Sequence, residues 1–133
     1  MFDEPIKMLK EFNDTYGVCY KDTPDLSLNN DYSLRVGLMQ EELNEYKEAV
    51  NNKDAVAVAD ALSDLMYVVL GTVLAHGYQD KFSQLFSEVH KSNMSKLGLD
   101  GKPIYHSVTG KVLKGPNFRE PNLGPIIKGS AGE

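Results

Sequence analysis

Between Gln40 and Asp64 the chain reads QEELNEYKEAV, a short NNK break, then DAVAVADALSD. Apolar residues at helical spacing on both sides of a polar break predict two antiparallel helices joined by a tight turn. In the first, Val36, Met39, Leu43, Tyr46 and Val50 form the apolar stripe. Glu42 lies about 60° from that stripe at 100° per residue. Glu45 shares its flank, with Leu38 and Ala49 between them, so both acids interrupt a surface expected to be at least half buried. Glu41 lies further round, and Glu48 points away. The second helix is apolar over almost its whole circumference, as a central helix of a bundle is. Asp64 projects from its flank of Ala57, Ala61, Val68, Gly71 and Ala75, side chains small enough to admit a neighbouring helix. Asp60 lies one turn earlier, about 40° round.

Counting outward from the turn near Asn52 puts Glu45 level with Asp60, and Glu42 level with Asp64. Like charges at close range in a low dielectric cannot all ionise. A hard divalent cation, Mg²⁺ or Mn²⁺, resolves that conflict with oxygen ligands alone. The competing reading is that helix acids are solvated and pair with lysines four residues on. It weighs as much as the metal reading for Glu41 and Glu48, and less for Glu42, Glu45 and Asp64.

A length of 133 residues suits one domain with a real core. We expect a helical core to about residue 97 and a tail from about 98 to 133. Cys19, the single cysteine, has no internal disulfide partner, which fits a reduced, cytoplasmic setting. The longest apolar run, Leu65 to Ala75, is too short to cross a bilayer, and Asp3 and Glu4 interrupt any signal-peptide pattern. We therefore expect no membrane association. The net charge of −5 is uneven. Through Met94 there are eight basic and sixteen acidic residues; from Ser95 there are six basic and three acidic. An acidic body argues against a nucleic-acid polymer as partner. A basic tail suits a polyphosphate ligand, or is simply a solvated appendage.

Taken in order, Phe2 to about Tyr16 reads as a helix ended by Gly17, with Phe2, Ile6, Met8, Leu9 and Phe12 as its apolar positions. Lys21 to Asp31 is a loop. Asn30, Asp31 or Ser33 is the candidate cap of the next helix. That helix carries Arg35, two turns before Glu42, placed to touch a phosphate or to pair with a nearby acid. Asp54 is the expected cap of the third helix, which ends near His76 at Gly77. A fourth runs from Asp80 to about Lys96, with Phe82, Leu85, Phe86 and Val89 as its inward stripe. Continuing that stripe gives Asn93 and Lys96, polar groups that need partners in a pocket mouth, or that cap backbone and reach water. His76, His90 and His106 lack ligand spacing and are assigned to no metal. In the tail, Pro103–His106 and Lys111–Leu113 are expected to pair as a hairpin across VTG. Lys102, Lys111 and Lys114 are candidate phosphate partners. The chain after Asn122 is expected to be frayed or committed to a subunit contact.

EELNE, DALSDLMYVVLGT and EVHKSNMSKL together resemble the all-α nucleoside triphosphate pyrophosphohydrolase superfamily: MazG-like proteins, dimeric dUTPases and phosphoribosyl-ATP pyrophosphatases. The resemblance covers roughly Ser33 to Phe118 and is nearest to short single-domain MazG-like proteins. It implies an all-α fold with a four-helix core, assembled as a homodimer or homotetramer. The family's ExxE falls on Glu42 and Glu45, with Glu41 as the extra acid before it. The aspartate of its ExxD falls on Asp64. The glutamate of that second motif is replaced by Ala61, and Asp60 sits one residue earlier. Asn93 and Lys96 match the SNMSK segment. The implied chemistry is Mg²⁺-dependent hydrolysis of an NTP or dNTP to the monophosphate and pyrophosphate. Glu41 or Glu45 would act as base, Glu41, Glu42, Glu45, Asp60 and Asp64 would hold metal, and Arg35, Asn93, Lys96, Lys111 and Lys114 would contact substrate. The alternatives are a dUTPase, a phosphoribosyl-ATP pyrophosphatase, or a non-catalytic nucleotide-binding dimerisation module, which Ala61 keeps open. A di-iron bundle is excluded for want of Glu-x-x-His pairs.

Overall fold

A computed structural model describes residues 1–27 and 31–128. The fold is all-α, and the described residues form five helices in the order α1 (Asp3–Tyr16), α2 (Asp31–Asn51), α3 (Ala55–Ala75), α4 (Phe82–Met94) and α5 (Gly124–Lys128). Among the described residues there is no strand, only an isolated antiparallel bridge between Tyr105 and Val112. Contacts gather into two compact units, Met1–Asp80 and Lys81–Glu133.

In the first unit α2 packs along α3, and α1 crosses onto α3. Gly17 ends α1 in the left-handed region at φ 69°, its N–H donating to Asn13 O. Ile6 and Leu9 are the buried apolar residues of α1. The apolar Met8 and Phe12 are exposed, although the Phe12 ring meets Tyr67 edge-on at 5.6 Å. Asp54 caps α3 by accepting from Ala57 N–H at 3.0 Å. Of the candidate caps for α2, Asn30 lies outside the described residues.

By length and composition α3 could cross a membrane. Its longest apolar run is only the second half, from Leu65. That half forms the centre of the unit: Leu70, Val73 and Ala75 are buried and Leu74 is fully enclosed. A core helix with helices on two sides has the same composition as a membrane span. Past its end, Gly77 takes φ 75°, and a side chain there would run into the carbonyl of Thr23. The loop before α2 is thus pinned to the end of α3, with Lys21 N–H on Leu74 O and Asp25 N–H on His76 O.

The face that α2 turns inward corrects the expected stripe. Val36, Leu43 and Val50 are 49%, 48% and 46% exposed. The covered positions are Arg35, Leu38, Met39, Glu42, Tyr46 and Ala49, a face about 90° round from the valine–leucine stripe by helical geometry. The reason lies on α3. Its small flank lets the helices close in where Ala49 and Ala61 meet solvent with only 5% and 3% of their surfaces. Close approach selects small residues over the bulkiest stripe.

In the second unit α4 begins at Phe82, short of the expected start at Asp80, with Lys81 as its N-cap. Its covered face is Leu85, Glu88, Ser92 and Ser95, while Phe86, Val89 and Asn93 are exposed. This corrects the inward placement of Phe86, Val89 and Asn93. The cover is the tail. Ser92 donates to Arg119 O at 2.8 Å, Ser95 Oγ accepts from Arg119 N–H, and Glu88 Oε2 accepts from Asn122 N–H and the Arg119 guanidinium, both at 2.9 Å. A strand of polar side chains thus straps Arg119–Asn122 along the helix. Beyond it, α5 occupies part of the segment expected to be frayed. The predicted hairpin forms, with His106 N–H on Lys111 O and Leu113 N–H on Ile104 O.

Candidate active site

The antiparallel register of α2 and α3 brings their acids together. Arg35 reaches Val68 and Thr72; further along, Glu42 feels the charge of Asp64. Nearer the turn, Glu45 and Asp60 line one cleft with Ala49, Ala57 and Ala61. On α2 itself, one carboxylate oxygen each from Glu41, Glu42 and Glu45 lies within 4.8 Å of the others.

Glu42 sits at the centre of this arrangement. It is half-buried, and its Oε2 is enclosed without a hydrogen-bond partner among the described residues. Its carboxyl is pushed up from 4.5 to about 7, chiefly by burial, then by contact with Glu45 and the charges of Glu45, Asp64 and Glu41. A buried carboxylate oxygen lacking a donor is costly, and here its neighbours are acids rather than bases. An all-carboxylate donor set with one orphaned buried oxygen fits a hard divalent cation, which takes oxygen ligands and offsets like charge.

The cleft towards the turn has a volume of ≈ 330 Å³ and is lined by four acids, Glu45, Glu48, Asp54 and Asp60. Two of these are not expected from sequence, where helical spacing turns Glu48 to solvent and Asp54 stands only as a helix cap. Glu48 lies about 120° round α2 from Glu42 at 100° per residue, and it meets the cleft because the cleft sits at the turn end of the helix, beside Asn52 and Asp54.

The other candidates are placed as follows. Arg35 is half-buried, its Nε donating to Thr72 Oγ1 and its Nη2 to Val68 O, both at 3.0 Å. Glu41, Glu45 and Asp60 are exposed, and Asp64 is half-buried. The remaining four belong to the second unit. Asn93 is exposed and Lys96 half-buried; the Lys96 carbonyl accepts from Gly115 N–H. Lys111 lies on the hairpin, its N–H donating to Thr109 Oγ1. Lys114 pairs with Glu120 at 3.6 Å and lies over the Phe118 ring at 4.7 Å. Ala61, at the position of the missing family glutamate, is buried between α2 and α3.

The family model described as phosphoribosyl-ATP pyrophosphohydrolase matches residues 9–93, which take in the second half of α1, all of α2 and α3 and most of α4. The chain belongs to that family. The phosphoribosyl-ATP pyrophosphohydrolase family is part of the MazG-like all-α superfamily, and its members hydrolyse a pyrophosphate bond. The protein is therefore a nucleotide pyrophosphohydrolase, a hydrolase of phosphoric anhydride bonds, and the non-catalytic module falls away. The family is generally metal-dependent. No curated protein matches the chain significantly.

Proposed function

We propose that this enzyme, with Mg²⁺, hydrolyses a nucleoside triphosphate, an NTP or dNTP, to the monophosphate and pyrophosphate. The observation that carries the reading is the buried, unpartnered Oε2 of Glu42 amid carboxylates. The family's description favours a particular triphosphate, phosphoribosyl-ATP; nothing comparable favours dUTP.

Glu41, Glu42, Glu45, Asp60 and Asp64 are the residues that would hold the metal, with Mn²⁺ as a second choice. When bound, the ion neutralises phosphate oxygens and makes a water more acidic. Glu45, exposed beside the cleft, can take a proton from that water; Glu41, exposed on the same helix, is the other candidate base. Glu42 is the ligand that must lose a proton before it can bind. Asn93, Lys96, Lys111 and Lys114 are proposed on sequence grounds to contact substrate phosphates. The proposed domain is the whole chain, working in the cytoplasm.

We also propose a homodimer or homotetramer. Val36, Leu43 and Val50 on α2, and Leu62, Met66 and Tyr67 on α3, leave large apolar side chains exposed on a single chain. Such surface marks an interaction site.

The test is a panel of triphosphates, with phosphoribosyl-ATP and dUTP included, incubated with the pure protein and Mg²⁺ and assayed for pyrophosphate. We expect release from at least one, abolished by E42Q and by chelation. Turnover of none, or turnover insensitive to chelation, would refute the proposal.

A further inference from the structure

Bringing two acidic helix faces together requires something to hold them there. Glu41, Glu42 and Glu45 cluster on α2, Glu42 feels the charge of Asp64 on α3 and Glu45 lines one cleft with Asp60, so repulsion between carboxylates opposes the packing of the two helices. Towards the turn the buried Ala49 and Ala61 line one cleft between the helices. At the other end the apolar contribution is interrupted by Arg35.

The Arg35 side chain crosses from α2 to α3. Its Nε donates to Thr72 Oγ1 and its Nη2 to Val68 O, each at 3.0 Å. Thr72 Oγ1 itself donates back to Val68 O at 2.8 Å, so one guanidinium, one hydroxyl and one carbonyl close a ring across the interface. Space for it is provided by Gly71: a Cβ there would lie 2.7 Å from Arg35 Nη2. The anchor point, Val68, is one turn beyond Asp64. Arg35 is two turns before Glu42. The planar fork fixes both distance and register, because two donors on one rigid group must meet two acceptors at once.

We infer that Arg35, held by Thr72 and Val68 over Gly71, is a positioning residue that pins α2 to α3 against the repulsion of their carboxylates and so sets the spacing of the metal-binding acids. The inference rests on the proposed metal site. It assigns Arg35 to the support of the ligands, where the sequence left it between a phosphate and a nearby acid.

The experiment is a thermodynamic cycle with metal titration. R35M, T72V and T72S are made in the wild-type chain and in an E42Q/D64N background. Thermal unfolding is measured in chelator, and Mn²⁺ affinity is measured by calorimetry in the carboxylate-intact set. Pinning predicts that R35M lowers the unfolding temperature more in the wild-type background than in E42Q/D64N, where the repulsion between Glu42 and Asp64 is removed. It predicts Mn²⁺ binding weakened roughly tenfold or more, the range for groups that orient metal ligands. T72V keeps the positive charge and removes one anchor, so it should shift both readouts in the same direction by less, and T72S should restore them. Equal losses in both backgrounds would make Arg35 an ordinary packing residue and overturn the inference. So would unchanged Mn²⁺ affinity in T72V, which would leave only the charge of Arg35 at work. If R35M does not fold, the T72V and T72S comparison decides alone. The triphosphate panel fails or succeeds separately: activity lost with the cycle intact would refute the proposed reaction and leave the pin standing.

Discussion

The carboxyl of Glu42 gives the sharpest quantitative handle on the site. Burial and three neighbouring acids raise it from 4.5 to about 7 in the folded chain, so folding takes up a proton between those values. Near pH 5.7 the folded state holds about 0.9 of a proton that the unfolded state has lost. The sign follows from linkage. Where the folded state binds more protons, stability falls as pH rises. Metal-free protein should therefore lose thermal stability from about pH 4.5 to about 7 on this group's account and level off above. E42Q keeps the neutral form at every pH and should lack that decline, so it should overtake wild type in chelator above neutrality. The depressed carboxyls of Asp25 and Glu88 act below this window, and the variant comparison subtracts whatever else titrates in it. Mg²⁺ should reverse the balance by displacing the proton: calorimetry in buffers of different ionisation enthalpy should show release of about 0.5 proton at pH 7 and about 0.9 at pH 6. Parallel pH profiles for wild type and E42Q would show that Glu42 is not raised, and Mg²⁺ binding without proton release at pH 6 would show that the ion does not displace a proton from it.

Three further outcomes follow from the geometry. Glu88 is held below the usual carboxylate range, first by the Asn122 N–H and then by Arg119; its contribution is present above the unfolded value and lost as pH falls through the lower folded one. Acidification or E88Q should lower the protection of the Asn122 amide, its hydrogen exchange compared with the intrinsic rate at the same pH, without unfolding the first unit. G17A should cost about 1–2 kcal/mol for its left-handed backbone, since nothing lies within 4 Å of the added Cβ. G77A should cost clearly more by chemical denaturation, because there the methyl meets the Thr23 carbonyl as well; equal losses would mean that the loop yields freely. L43E changes an exposed side chain and should alter the stability of one chain by no more than about 0.5 kcal/mol, yet shift light-scattering mass towards the monomer. An unchanged mass would remove α2's outer stripe from any subunit contact.

The helix content was legible because each helix has its own punctuation. Gly17, Asp54 and Gly77 act where their backbone chemistry says they should, and the hairpin forms where Gly110, at φ 73°, allows the chain to turn. The strap along α4 was not legible. Glu88, Ser92 and Ser95 bind the backbone of Arg119–Asn122, and backbone has no sequence signature. A polar residue at helical spacing looks the same whether water or a distant carbonyl satisfies it. The stripe of Phe82, Leu85, Phe86 and Val89 was therefore given the covered face, of which it supplies only part.

The rotation of α2 has a different cause, and it bears on the site. Hydrophobic spacing alone makes Val36, Leu43 and Val50 the inward face and leaves Glu42 on the flank. What decides the matter is the partner: α3 offers alanine and glycine, and a surface of small side chains is best filled by a helix that can come close. The face of α2 carrying Ala49 can do so; the face carrying valine and leucine cannot. Choosing it places Arg35 over Gly71 and Glu42 against Asp64 in a single step, since all three α2 residues share that face at i, i+7 and i+14. The acids are thus brought inside by the packing of their neighbours rather than in spite of it, and the apolar stripe displaced by that choice is left on the outside of the chain. One helix accordingly shows two candidate surfaces: a narrow one of small and charged groups that builds the carboxylate cluster, and a broad apolar one suited to a second copy. Mutations on the two should separate cleanly, with Arg35 and Thr72 moving metal affinity and Leu43 moving mass.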